Sequence, residues 1–232
     1  ACATPLSGDL WQLFIVISDA DDIRDDYKKL PQITAQWRGT SDWGGFEPIA
    51  TAQYSQFDSD TNRVTGQRLY AEAGLTYPMR WQFAFLRPTV KYRALAYELD
   101  NQTPLLDASP TAGSAVASID AGLFFERQTK LGSRSMTQTF EPRAFYLYSE
   151  YDAQTALPDF DSAELTFDYN QLYRDTRFSG NDRLDDANQL SFGVTTRFFD
   201  NEDGRERLNA SIGQIYYFRD RDVRLNGADP RL

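Results

Sequence analysis

Three features of this sequence predict an all-β fold, specifically an antiparallel transmembrane β-barrel. Apolar and polar residues alternate with a period of two through most of the chain. One face of each alternating segment is free of charge. The segments run about 9–13 residues, longer than the ~5–6 typical of soluble sheets and close to the ~9–11 that cross a bilayer.

The segments follow one another in order. Leu10 to Ile17 is apolar throughout and reads as a strand without clean alternation. Ile33, Ala35 and Trp37 then alternate with Gln32, Thr34, Gln36 and Arg38. Phe46, Pro48, Ala50, Ala52 and Tyr54 oppose Glu47, Thr51, Gln53 and Ser55. Leu69, Ala71, Ala73, Leu75 and Tyr77 oppose Arg68, Tyr70, Glu72, Gly74 and Thr76. Val90, Tyr92, Ala94 and Ala96 oppose Lys91, Arg93, Leu95 and Tyr97. Ala117 to Phe125 and Phe140 to Tyr148 repeat the pattern, with Asp120, Glu126, Glu141 and Arg143 on the polar side. Leu190, Phe192, Val194, Thr196 and Phe198 oppose Gln189, Ser191, Gly193, Thr195 and Arg197. A polar turn at Asp200–Gly204 leads into Leu208, Ala210, Ile212, Tyr216 and Phe218, with Gln214 on that same face. About nine strands result, read as part of a larger barrel. Pro48 and Pro142 lie inside these segments, where each removes one ladder hydrogen bond and marks either a bulge or a strand boundary.

Across the eight alternating segments no apolar-face position is Asp, Glu, Lys or Arg, in a chain that is 25% charged. A charge at mid-depth in lipid costs ~2–4 kcal/mol, which accounts for such an exclusion. Tyr and Phe near strand ends (Tyr54, Tyr77, Phe125, Phe198, Phe218) fit an interfacial aromatic girdle. The expected lipid-facing residues include Leu190, Phe192, Val194, Phe198, Tyr146 and Tyr148. Phe192→Arg is therefore expected to block assembly far more than Gln189→Arg. The expected lumen-facing charges are Arg68, Glu72, Lys91, Arg93, Asp120, Glu126, Glu141, Arg143 and Arg197. Two readings of these charges stand: a hydrated, salt-bridged wall, or a lumen that contacts a protein plug or steers a charged solute.

Short connections at Gly39–Gly45, Pro78–Arg87, Arg127–Ser135 and Asp200–Gly204 alternate with longer ones at Ser18–Pro31, Asp58–Gly66, Asp100–Ser114 and Asp152–Ala187. Outer-membrane barrels have short periplasmic turns and long outer loops, so the long set is placed outside. The segment Leu165–Tyr173 alternates as well, but a strand there would break the long–short order, so it is placed within a large outer loop spanning about 152–187.

Composition narrows the function. The net charge of −10 argues against nucleic acid as a partner. With no histidine, neither Ser-His-Asp chemistry nor His-ligated zinc is available. Asp58-Ser-Asp60-Thr-Asn62 opens like a calcium loop, but Arg63 and Leu69 stand where Gly and Glu are needed. The acidic cluster at Asp19, Asp21, Asp22, Asp25 and Asp26 reads as a solvated loop. Phosphate loops and G-x-S-x-G elbows are absent. No cofactor, metal or catalytic residue is expected. No cleavable signal peptide is read at the start, Cys2 reads as an ordinary thiol, and residues 1–9 form an unassigned leader ahead of a barrel segment at 10–232. Apart from larger assemblies, a small outer-membrane barrel (pore or adhesin) and a soluble β protein also fit the alternation.

Longer motifs carry a resemblance. Asp26-Tyr-Lys-Lys-Leu-Pro-Gln-Ile33, Thr137-Gln-Thr-Phe-Glu-Pro-Arg-Ala-Phe-Tyr-Leu-Tyr148, Asp168-Tyr-Asn-Gln-Leu-Tyr-Arg-Asp175, Asp182-Arg-Leu-Asp-Asp-Ala-Asn-Gln189 and Ile212-Gly-Gln-Ile-Tyr-Tyr-Phe218 resemble the family of LPS-assembly outer-membrane proteins, the LptD (OstA or Imp) family. The resemblance implies a middle portion of a barrel of on the order of 26 strands, near the upper end of the bacterial range. It also implies a role in placing lipopolysaccharide in the outer leaflet of the outer membrane of a Gram-negative bacterium. An LptE-like lipoprotein plug in the lumen and an LptA-like periplasmic bridge, joined through a domain outside these residues, are the implied partners.

Overall fold

In a computed structural model, residues 10–18, 27–40, 44–60, 63–100 and 107–225 are described. The strands are β1 (Leu10–Ser18), β2 (Lys28–Arg38), β3 (Glu47–Asp58), β4 (Thr65–Thr76), β5 (Met79–Arg80), β6 (Ala84–Asp100), β7 (Thr111–Leu123), β8 (Phe125–Leu131), β9 (Arg134–Ser149), β10 (Ala163–Glu164), β11 (Phe178–Ser179), β12 (Ala187–Asp200) and β13 (Glu206–Tyr217). A 3-10 turn at Tyr169–Tyr173 is the one helical element among the described residues. Nine long strands follow the order β1-β2-β3-β4-β6-β7-β9-β12-β13, so each pairs antiparallel with its neighbour in sequence. The short strand β5 adds to β6, β8 adds to β9, and β10 pairs with β11 apart from the main sheet. The sheet is open, since β1 and β13 each pair on one side only.

Register decides which residues share a surface, because directly opposed residues point to the same side. Ile33 opposes Tyr54, Tyr54 opposes Leu69, and Leu69 opposes Ala96. Further along, Tyr146 opposes Leu190, which opposes Tyr216, and Val194 opposes Ile212. The apolar faces of all the strands thus merge into one continuous surface. That surface is the open one: Val90, Tyr92, Phe192, Ile212 and Tyr216 are all more than half exposed. The opposite face is the covered one, where Arg68, Arg93, Asp120, Ser114, Ser149, Gln189 and Ser191 are buried. Apolar residues are also buried there, and Phe57, Leu95, Tyr97, Leu99, Leu157, Phe160 and Leu184 form a cluster. Compared with a water-soluble sheet, this arrangement is inverted.

What covers the polar face is the 150–186 connection. The sequence places it within a large outer loop at about 152–187, and it folds back along the sheet. The Leu165–Tyr173 segment within it joins no strand of the main sheet. The reason lies in its composition: Leu157, Phe160, Leu172, Phe178 and Leu184 all need burial, and all are found buried.

Two short connections are shorter than expected. β6 begins at Ala84, so the Pro78–Arg87 connection contains the β5 pairing of Met79 with Leu86. The Arg127–Ser135 connection contracts to a two-residue turn between Leu131 and Arg134, with Gly132 at φ 61°. Arg127, Gln128, Lys130, Arg134 and Ser135 beside this turn are polar and exposed, which hides it from an alternation argument. Pro142 marks a boundary rather than a bulge. The β9–β12 register runs unbroken through it, but on its other side β9 changes partner, from β7 ending at Arg143 to β8 starting at Phe140. The missing N–H falls at the gap, where the Phe124 N–H turns away to Phe83 O at 2.7 Å. Pro48 likewise sits at a strand end, its carbonyl accepting from Gly39 N–H at 2.9 Å. The acidic cluster at 19–26 and Cys2 lie outside the described residues.

Candidate functional site: the loop-covered polar face

The loop is tied to the sheet at three levels. The upper tie centres on Asp182, which is fully buried. One carboxylate oxygen of Asp182 accepts backbone N–H groups from Phe160, Asp161 and Ser162 at 2.8–2.9 Å. The other accepts from Arg68 of β4 and from the Tyr97 hydroxyl of β6. Arg68 also donates to both oxygens of Asp161, at 2.6 and 3.2 Å, and to Gln53 at 3.1 Å. Lys29 lies 3.0 Å from Asp161. Burial pushes the Asp161 carboxyl up, but Arg68 and Lys29 outweigh it and hold it below the usual carboxylate range.

Beside this tie, the chain before β12 is held by its own backbone partners. Arg183 donates to the carbonyls of Leu157, Pro158 and Arg224 at 2.8, 2.9 and 3.0 Å. Gln154 and Leu184 exchange two hydrogen bonds, at 2.8 and 2.7 Å. Asp185 accepts from Arg177 and, at 2.8 Å, from Arg221, yet burial still pushes its carboxyl up. Asp186 accepts backbone N–H groups from Asp222 and Val223, at 3.1 and 2.9 Å. Four of the five residues from Asp182 to Asp186 thus spend polar side chains inside the protein, and Leu184 between them spends its backbone groups there.

At the middle level the 3-10 turn lies over two glycines. Gly193 and Gly213 face each other across β12 and β13. A Cβ at Gly193 would lie 2.2 Å from the Tyr173 hydroxyl, and one at Gly213 would lie 2.3 Å from Leu172. The glycines make the notch in which this turn sits. The Tyr173 ring is covered by the Arg143 guanidinium at 3.9 Å. Burial and the Tyr169 hydroxyl push the Tyr173 phenol up.

The lower tie is Asp175. It meets Lys91 at 2.5 Å and Arg93 at 2.8 Å, both on β6, and both of these also hold Glu72. Burial works against the Asp175 charge, but Arg93 and Lys91 outweigh it and hold its carboxyl at about 2.

The residues expected to line a lumen are therefore mostly engaged already. Arg68, Glu72, Lys91 and Arg93 bind the loop or one another. Asp120 is buried between Arg87 and a bidentate Arg143. Glu141 accepts from Thr139 at 2.8 Å and lies 3.7 Å from Arg197. Glu126 is exposed on β8, outside this network. These residues are salt-bridged, and the 150–186 connection covers much of their face. On the other face, Leu190, Phe192 and Tyr148 are exposed, and Val194, Phe198 and Tyr146 are half-buried among their same-face neighbours.

Asp175, Asp182 and Asp185 lie in motifs that carry the family resemblance, but neither they nor Asp161 and the glycine notch were given a role from the sequence. The available signal was a loop too rich in Leu and Phe to remain solvated. Among the described residues no group of three or more His, Cys, Asp or Glu could hold a metal ion. No helix there is long and apolar enough to cross a membrane.

Comparison with known proteins agrees with this architecture. The sequence model of the family described as LPS transport system D matches residues 6–231. The LPS-assembly protein LptD of Pseudomonas aeruginosa (strain LESB58) is 38% identical over 235 residues, covering 87% of this chain and 25% of that protein. The protein of the same name from Xanthomonas campestris pv. campestris (strain 8004) is 47% identical over 169 residues, covering 71% of this chain and 21% of that protein. That of Saccharophagus degradans is 38% identical over 226 residues, covering 90% and 26%. The chain spans about a quarter of the length of these relatives. A family match reaching from β1 past β13 takes in both faces of the sheet and the loop folded on one of them: the chain belongs to the LptD family, LPS transport system D.

Proposed function

We propose that these residues form part of the wall of an outer-membrane β-barrel that assembles lipopolysaccharide into the outer leaflet. The observation that carries the reading is the inversion of the sheet. An apolar surface, free of charge through the middle of the strands, is open across the sheet, while arginines, aspartates and serines are buried on the other side. Lipid solvates the first kind of surface and a polar lumen accommodates the second. The open edges at β1 and β13 are paired by further strands of the barrel, since an unpaired edge in hydrocarbon is not tolerated. In this reading the loop-covered face lines the route of the saccharide and meets an LptE-like lipoprotein plug. The LptA-like bridge engages a part of the protein outside these residues. The work is binding and guidance, with no covalent step.

The test compares two arginine substitutions in the full-length protein. Phe192→Arg places a charge on the open apolar face, at a cost of ~2–4 kcal/mol near mid-depth in lipid. Gln36→Arg places the same charge on the polar face at an exposed position. Gln189, the partner suggested by alternation alone, is unsuitable because it is buried against Arg221. Folded protein in outer-membrane fractions, read from heat-modifiable gel mobility, is expected to collapse for Phe192→Arg and to hold for Gln36→Arg. Equal yields for the two would overturn the assignment of faces.

A further inference from the structure

At the short-turn end of the polar face, the ends of β2, β3, β4 and β6 and the tip of the long loop enclose a pocket of about 320 Å3. Its cations are Arg38, Arg80, Arg87, Lys91 and Arg174, and its carboxylates are Glu47, Asp120 and Asp175. Two of the cations are matched within the wall: Arg87 by Asp120 at 2.6 Å, and Lys91 by Asp175 at 2.5 Å. Those pairs use two of the three carboxylates. Arg38, Arg80 and Arg174 form no ion pair among the described residues, and Glu47 pairs with none of them. Elsewhere on this face Arg68, Arg93 and Arg143 each meet an aspartate or glutamate within 3 Å. The contrast isolates a place where three guanidinium groups from separate elements line one space with a single unpaired carboxylate, Glu47, so positive charge is in excess there.

We propose that this pocket binds the phosphate of a phosphorylated sugar head group as the glycolipid moves along the polar face. The proposal rests on the reading of that face as the route of lipopolysaccharide. Guanidinium is the cation best matched to phosphate, because its fork donates two parallel hydrogen bonds to two oxygens. The remaining lining suits a sugar: Thr76, Thr89 and Ser118 offer hydroxyls, and Ile49, Pro78 and Phe145 offer apolar contact. Its volume lies at the lower end of the range for small-ligand sites, enough for one phosphorylated sugar rather than a whole oligosaccharide. One wall of the pocket is the loop tip, Tyr173 to Asp175, so the site exists only while the loop lies on the sheet. Lys91 serves both as a wall of the pocket and as an anchor of the loop.

The experiment uses the full-length protein, purified in detergent with its natural partners. Arg38, Arg80 and Arg174 are changed together to Gln. All three are exposed, so the fold does not depend on them. Binding is measured with native lipopolysaccharide, with enzymatically dephosphorylated lipopolysaccharide, and with inorganic pyrophosphate as competitor. The expected result is that the triple variant binds native lipopolysaccharide at least about tenfold more weakly, since each hydrogen bond to a charged group is worth roughly a factor of ten. The dephosphorylated form is expected to bind variant and parent alike, and pyrophosphate to compete only with the parent. An equal loss for both glycolipids, or no loss for either, overturns the pocket while leaving the transport reading intact. Failure of the parent to bind either glycolipid overturns the transport reading and the pocket with it. Loss of a co-purifying lipoprotein from the variant, with unchanged glycolipid binding, overturns the proposal in favour of a protein dock.

Discussion

The upper and lower ties of the long loop use the same chemistry, an aspartate meeting basic side chains from β4 or β6, but they are built differently. Asp182 has no solvent exposure, and its charge is met by three backbone N–H groups as well as by Arg68, which is itself buried. Asp175 keeps about a third of its side chain open and is met by Lys91 and Arg93. A buried charge held by backbone donors has no low-cost alternative, whereas a partly solvated pair can exchange its partners for water. The comparison divides the loop into a fixed root and a releasable tip.

Removing the root is expected to have the largest effect. Asp182→Ala leaves Arg68 with Asp161 as its one carboxylate and strands three amide donors in a buried site, and breaking a buried pair of this kind costs ~3–5 kcal/mol. Urea unfolding of the full-length protein in detergent should show the shift, together with new proteolytic cleavage between residues 150 and 186. A loss below ~1 kcal/mol would mean that the root is no firmer than the tip.

The notch comes next. Gly193→Val drives a side chain into the Tyr169 and Tyr173 hydroxyls, both of which lie within 3 Å of a Cβ placed there. Overpacking of this sort costs ~1–3 kcal/mol. The turn is expected to lift while the root holds, so cleavage should appear near Tyr169–Tyr173 and not near Asp182. An unchanged cleavage pattern would show that the turn does not depend on the notch.

The tip gives the smallest change. Asp175→Asn is expected to cost ~1 kcal/mol or less, as partly exposed pairs do. The acid form of the same experiment has a definite sign. The docked carboxyl titrates at about 2, and an unfolded one at ~3.9. The tie therefore contributes fully above the unfolded value and is lost as pH falls through the docked one. A spin label at Arg174, next to Asp175, should gain mobility in Asp175→Asn at neutral pH, and in the parent only in that acid window. Release of the label in the parent at pH 6 would show that another group holds the tip.

How much of this was legible in the sequence follows from the kind of signal each part leaves. The faces were legible because each strand repeats the same constraint every second residue, and register then aligned Ile33, Tyr54, Leu69 and Ala96 without further information. β8 and the start of β9 were not legible, since polar residues such as Arg127 and Gln138 hydrogen-bond to each other across the hairpin and leave no apolar alternation. The loop was not legible because its ties have no period. Nothing local to Asp182 announces Arg68, which lies 114 residues earlier. The charged residues of the polar face repeat with the strand period, so their spacing could be read. Their partners were missed because those partners come from a segment whose polar and apolar residues both turn inward.

The tie between Arg68 and Asp182 has a geometric meaning beyond anchoring. Arg68 stands on β4, Asp182 stands at the entrance to β12, and β6, β7 and β9 lie between those strands in the sheet. A curved sheet with a rigid strut between two separated staves behaves like an arc with its chord fixed. Fixing the chord fixes the radius. The same loop that covers the polar face therefore also gauges how far this stretch of sheet can flatten.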